Sequence, residues 1–321
     1  MLLFLLSCQS TPADTGVPAE SPQTADTSAD AEEHGADTSE PEDTRDPFML
    51  EAWTEDTSPG LQLYTNLPPA PGDCALLRDA PCADLDSDGL VDAWEGVVLE
   101  RLRPLVMLDE DEPLLVDPGG LLIHVARIWP ITAEEVRVMI VLAYSEDYGR
   151  CGLTAHPGDS ERVALTLTLH SGSAWVTEAY TAAHEGELND QSTLYAGEDI
   201  RQMETTTDPT TGEPRWLVYA SEGKHATYAS TEHCEEVSII PCLEEDCAPD
   251  GVSDKARYSV LGAHALNAGE EAHPLADDLA EFGMTGERIW ADQPFCGGLG
   301  RAHEADCSSG LLEKMRTDPL E

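Results

Sequence analysis

The chain has 321 residues, 17 of them basic and 63 acidic, for a formal net charge of -46. That charge makes nucleic acid and anionic membrane surfaces poor partners, because both would repel it, and favours divalent cations. With 41% hydrophobic residues the chain can bury a full core once any disordered tail is set aside, so one large domain plus a tail is expected.

The opening run, Met1 to Cys8, reads MLLFLLSC. It resembles the lipobox at which bacterial lipoprotein signal peptides are cut and the Cys is lipidated. The resemblance implies an anchor at Cys8 and a place in the bacterial cell envelope, as an outer membrane lipoprotein or an extracellular one. Gln9, where retained inner-membrane lipoproteins would have Asp, implies the outer membrane. No basic residue precedes the run and it is short for an apolar signal core, which leaves a misplaced start codon or a chance match as alternatives.

Residues 9 to 60 are built from Thr, Ala, Asp, Ser, Pro and Glu, with near-repeats at Ala13-Asp14-Thr15, Ala25-Asp26-Thr27 and Ala36-Asp37-Thr38. Such a stretch has too little apolar surface to offset the entropy of ordering, and its charges repel, so an extended acidic tether is expected. Nine Cys are present, and setting Cys8 aside leaves the even number that an exported, oxidised domain needs. Short loops suggest Cys74 with Cys82, Cys242 with Cys247 and Cys296 with Cys307, leaving Cys151 with Cys234. A zinc cluster is the weaker alternative because no paired C-x-x-C occurs.

Asp84 to Glu95, DLDSDGLVDAWE, fits the D-x-[DN]-x-[DN]-G-x5-E calcium loop at every specified position. Asp84, Asp86 and Asp88 would put hard oxygens on one side of a tight coil, and Gly89 would make the turn. Leu90 would offer its carbonyl, Asp92 would act directly or through water, and Glu95 would close the shell with both oxygens. The alternative is a solvated acidic turn. Trp94, Val97, Val98, Arg101 and Leu102 then recur at helical spacing, so residues 61–103 are expected to hold a disulfide loop, the calcium loop and one helix.

From Leu105 the pattern changes to strands. Leu105 to Leu108, Leu121 to Ile128, Val136 to Tyr144, Arg162 to Leu169, Ala174 to Ala183 and Trp216 to Ser221 are short apolar or alternating runs between Gly, Pro and Asp clusters. The expected fold is mainly β: over residues 104–315, an antiparallel β-sandwich with loop insertions and short helices. At the entrance to the fourth run, His156, Asp159 and Glu161 bring an imidazole and two carboxylates together, with Pro157-Gly158 read as the turn that lets them converge. Carboxylates beside a buried-faced strand lose solvation unless neutralised, so a second divalent cation is expected there, with His156 as a ligand or as the partner that orients one. A solvated polar loop is the alternative.

Four stretches in one order resemble the vacuolar protein sorting-associated protein 62 family. They are Arg103 to Glu112, RPLVMLDEDE; His156 to Val163, HPGDSERV, like its H-x-G-D-W-E-H-V; Trp216 to Ser230, WLVYASEGKHATYAS; and Leu266 to Glu270, LNAGE. His184 matches a further family His after a strand. The resemblance covers about residues 100 to 310, with Ser160 in place of the family's Trp and Arg162 in place of its second His. At motif level the octet is also similar to the H-D-W-E heptapeptide of the necrosis- and ethylene-inducing-peptide-like proteins, sandwich toxins in which a divalent cation sits among such residues. These resemblances imply a sandwich whose end loops gather His156, Asp159, Glu161, His184 and His225 into one pocket; the alternative is that His184 and His225 merely bond backbone in turns. Three function classes stay open: a surface binding module for an unknown extracellular ligand, a metal-dependent hydrolase with Glu161 as base, and a membrane-active toxin-like protein.

Overall fold

The computed structural model describes residues 61–65, 84, 88–149, 155–170, 173–185, 190–208, 214–235, 245–247, 251–253, 266–267 and 309–321. The chain divides into Met1–Thr44 and Arg45–Glu321, and everything described belongs to the second unit. The lipobox at Cys8, the tether, the Cys74–Cys82 and Cys296–Cys307 pairs and Asp86 lie outside the described residues. Among the described residues, no helix is long and apolar enough to cross a membrane.

The fold is mainly β, in two sheets with a few short helices. In chain order the elements are β1 (Leu61–Thr65), α1 (Asp92–Leu102), β2 (Leu105–Leu108), β3 (Leu122–Pro130), β4 (Glu135–Asp147), β5 (His156–His170), β6 (Ser173–Thr181), β7 (Thr193–Ala196), β8 (Thr205–Thr207), β9 (Pro214–Ala220), β10 (Thr227–Tyr228), α2 (Thr231–Glu235), β11 (Val252–Ser253), β12 (Leu266–Asn267) and α3 (Leu311–Arg316). The larger sheet runs β1-β6-β5-β4-β3-β12 with β7 also on β6, and the smaller runs β10-β9-β2-β11 with β8 also on β9. Two pairings depart from the antiparallel expectation: β2 lies parallel to β9, and β12 parallel to β3.

Strand β4 explains its own sequence. Its register with β5 pairs Val136 with Leu167, Val138 with Leu165, Ile140 with Val163, Leu142 with Glu161 and Tyr144 with Asp159. Val136, Val138, Ile140, Leu142 and Tyr144 join a core that also holds Val106, Leu108, Trp216 and Val218 from the smaller sheet, and Trp94, Val98, Leu99 and Leu102 from α1. Alternate residues Met139, Val141 and Ala143 face the other way, against Leu311 and Met315 of α3. A strand buried on both faces reads as a continuous apolar run rather than an alternation.

Helix α1 begins with Asp92 and Glu95 in its first turn and has Arg101 in its last, charges that suit the helix dipole at each end. It stops at Arg103, because the residue before Pro104 is driven out of helical conformation.

The disulfide expectation is corrected. Cys234 bonds Cys247, so the pairings Cys151–Cys234 and Cys242–Cys247 are excluded. Loop length alone was a poor guide, because the chain returns beside the β9–β10 turn, where the Glu222 amide donates to the Asp246 carbonyl (2.9 Å) and sets Cys247 beside α2.

Candidate functional site

The octet that carries His156, Asp159 and Glu161 lies within β5, and Pro157-Gly158 does not reverse the chain; Gly158 takes a left-handed φ of 69° and is skipped in the ladder, a local irregularity in place of the expected turn. The ladder with β4 continues through it, pairing His156 with Asp147 and Pro157 with Glu146. Asp159 and Glu161, two residues apart, therefore share the face of Val163 and Leu165. Ser160 and Arg162 point to the opposite face, where Ser160 donates its hydroxyl to the Ser309 carbonyl (2.5 Å) and Arg162 bonds the Thr317 carbonyl (2.7 Å).

The centre of the site is His225. Its Nδ1 lies 3.2 Å from Asp159 Oδ2 and its Nε2 3.3 Å from Glu112 Oε1, with no part of the ring exposed. Tyr144 stacks on it with ring centroids 3.9 Å apart and planes 5° from parallel, while Tyr148 meets it edge-on. Burial alone would lower the imidazole pKa, but the bonds to Asp159 and Glu112 outweigh it and push the value up to about 10. Both nitrogens therefore donate, and the ring is a cation on a tyrosine face. Burial would raise both carboxylates, yet the hydrogen bond and charge of His225 bring each below its ordinary value. Glu112 is held further by the amides of Gly223 (2.7 Å) and Leu114 (3.0 Å). Gly223 takes a left-handed φ of 68°, a conformation that glycine adopts without penalty.

His156 forms a second ion pair. Its Nδ1 donates to its own strand at the Gly158 carbonyl (2.9 Å), and its Nε2 lies 3.3 Å from Asp147. Burial lowers its pKa, but Asp147 and the nearby Asp159 charge raise it further, and the net direction is up.

Glu161 is held differently. Burial is the main cause that lifts its carboxyl to about 7; Lys314, 3.4 Å away, opposes the rise and Asp159 adds to it. His184 acts on Glu161 electrostatically and lies 3.2 Å from Glu245, two residues before the Cys247 bridge. Next to this group Tyr228 Oη and Glu245 Oε2 are buried without a hydrogen-bond partner. Burial, Glu245 and Glu161 together drive the Tyr228 phenol far above its ordinary value, so it stays protonated.

Among the described residues the only non-glycine positions with left-handed backbone are His184 (φ 56°) and His225 (φ 60°). Such conformations are unfavourable for residues with a Cβ and persist where the surroundings hold them, often at functional sites. No family model, curated protein or solved structure matches the chain. Among the described residues, no group of three or more His, Cys, Asp or Glu side chains is arranged to hold a metal ion.

Glu112, Tyr144, Asp147, Glu245 and Lys314 were missed as site residues from sequence. Glu112 closes the Arg103 to Glu112 stretch and so carried a signal; the others are separated from the octet in sequence or hidden in an apolar run.

The Asp84 loop stands apart from this cluster in sequence. Asp84 accepts the amides of Asp88 (3.2 Å) and Gly89 (3.1 Å), and Asp88 accepts that of Leu90 (2.7 Å). Gly89 turns the chain at φ 96°, Asp92 opens α1, and Glu95 is fully buried.

Proposed function

We propose that this chain is an exported surface lipoprotein whose mainly β domain, a β-sandwich on this reading, is a binding module organised by calcium. The observation that carries the proposal is the coil at Asp84: carboxylates that gather successive amides, a left-handed glycine, and a buried Glu95 one helical turn into α1. These are the parts of a loop that wraps a hard cation with oxygens. The core shared by both sheets supports the sandwich. The lipid anchor and tether rest on residues 1 to 60 of the sequence.

Millimolar calcium is expected to raise the melting temperature, because an ion bound only to the folded state stabilises it by roughly 3 kcal/mol at a hundredfold excess over Kd. Glu95→Gln removes a ligand that would donate both oxygens and is expected to abolish most of the rise. Equal calcium shifts in the two proteins would sink the loop reading. Expressed in a bacterial host, Cys8→Ser is expected to leave the membrane fraction, and identical fractionation and lipid labelling of both forms would refute the anchor.

A second reading, metal-dependent hydrolysis through His156, Asp159 and Glu161, is favoured by the Glu161 carboxyl, whose value near 7 suits a general base. Asp159, Glu161, Glu245 and His184 carry the donor atoms a divalent cation takes, but they are not arranged around one, and Lys314 lies 3.4 Å from Glu161.

A further inference from the structure

The C-terminal segment, residues 309–321, is tied to the outer face of the larger sheet by three arginines. Arg127 of β3 bonds the Met315 carbonyl (3.1 Å), Arg137 of β4 bonds Asp318 (2.9 Å), and Arg162 of β5 bonds the carbonyls of Lys314 (3.1 Å) and Thr317 (2.7 Å). Leu311 and Met315 bury against Ile123, Val125, Met139 and Val141 beneath them. Lys314, one of three lysines in the chain, leaves this face. Strand β6 parts from β5 where the Ala182 amide bonds the Arg162 carbonyl (2.9 Å), so among the described strands β5 from His156 to Glu161 is paired only with β4. At that edge the Lys314 ammonium donates to the Ser160 carbonyl and lies 3.4 Å from Glu161. Both side chains are nearly enclosed, 18% and 13% exposed. The Lys314 charge also acts on Asp159, and beyond Glu161 lie the partnerless Tyr228 hydroxyl and Glu245 oxygen.

We propose that Lys314 is a tethered counter-cation: it stands where a divalent ion would otherwise neutralise Asp159 and Glu161, and α3 thereby keeps that site closed to ions. The proposal rests on the second reading above and not on the calcium loop. Buried carboxylates require a neighbouring positive charge; Asp159 has His225, and for Glu161 the chain supplies one from a C-terminal segment fixed by three guanidinium groups and two buried apolar side chains. An external ion must evict the ammonium, so its apparent affinity is reduced by the small fraction of time for which Lys314 is withdrawn.

The test uses the full chain with Glu95→Gln in the background, which removes the loop's contribution. Calcium alone and then manganese alone are titrated by calorimetry, with metal content measured after gel filtration. Lys314→Met and Lys314→Gln are each expected to take up one further ion, with affinity at least about tenfold tighter than the Lys314 parent, since an ammonium near a carboxylate repels a cation strongly at low dielectric. Lys314→Arg keeps the charge and is expected to gain no ion. Adding Asp159→Asn to Lys314→Gln is expected to remove the gained ion. Glutamine keeps a donor for the Ser160 carbonyl, so it supplies a folded comparison if the methionine variant does not fold. The proposal is overturned if neither folded variant gains an ion, or if the Lys314 parent binds an Asp159-dependent ion as tightly. Failure of the calcium-loop reading shows separately, as calcium binding that Glu95→Gln leaves unchanged with Lys314 intact.

Discussion

His225→Asn is expected to lower the melting temperature by about 10 °C, the largest effect of any single substitution considered for this protein. The substitution removes the cation between Glu112 and Asp159, both almost fully buried. Breaking a buried ion pair costs about 3–5 kcal/mol, because the partner charges stay behind in a poorly solvated place, and in a domain of this size each kcal/mol corresponds to about 2–4 °C. Asparagine is chosen because it tolerates left-handed backbone better than most residues, so the φ of 60° is preserved and the measurement isolates the charge. The stacked contact with Tyr144 is lost as well, a smaller effect of about 1–2 kcal/mol for a desolvated cation on an aromatic face. Adding Glu112→Gln is expected to recover part of the loss, since one orphaned carboxylate is then neutral. Calorimetric melting of the three proteins checks this. A fall of only one or two degrees in the single variant, or no recovery in the double, would show that the triad does not hold the fold together.

Most of the central sheet was legible because period and burial agree there. Leu105 to Leu108 is a strand with the bounds its apolar run suggested; β4 and β5 extend the expected runs at both ends, while β3, β6 and β9 match theirs to within two residues at each end. The helix after the Asp84 loop followed from its apolar spacing, and it buries Trp94, Val98 and Leu102 as that spacing requires. The short strands β7, β8, β10, β11 and β12 have two to four residues each, too few for a period to show.

The misjudged octet has a different cause. Pro-Gly reads as a turn from local preference, but β4 runs on to Asp147 and the ladder with it carries the strand through Pro157. Proline is tolerated where a strand has an open side, and β6 has already left β5 by that point. The charges of the site were the least legible part. Lys314 is 154 residues from Ser160 and Glu245 is 61 from His184, so no spacing rule could connect them. The sequence suggested that Asp159 and Glu161 need a positive charge, which follows from desolvation alone; where the chain finds that charge depends on tertiary packing.

Stability is expected to fall steadily from about pH 6 to pH 10, and the direction follows from the site. The His225 pKa is raised from an ordinary 6.5 to about 10 in the folded protein, so its contribution is complete below about 6.5 and is lost as pH climbs through 10. His156, also raised, acts with the same sign. Glu161, lifted to about 7, favours folding while protonated and loses that preference between its ordinary value of 4.5 and 7, again downward with rising pH. Glu112 and Asp159 are lowered and act oppositely: their contribution is present above their ordinary values of 4.5 and 3.8 and disappears only as acid protonates them in the fold. The window of greatest stability therefore lies near pH 5 to 6, where the carboxylates of the triad are ionised and both imidazoles are charged. Self-repulsion in a chain of net charge -46 lowers stability at high pH too, so the total slope alone cannot assign the effect to the site. The comparison that does so is the melting temperature of wild type and His225→Asn at pH 6 and pH 9.5. Wild type is expected to lose about 10 °C between them, a few kcal/mol by linkage, and the variant clearly less. Parallel curves for the two proteins would mean that His225 carries no charge that matters to folding, and the cluster would then be a set of neutral hydrogen bonds.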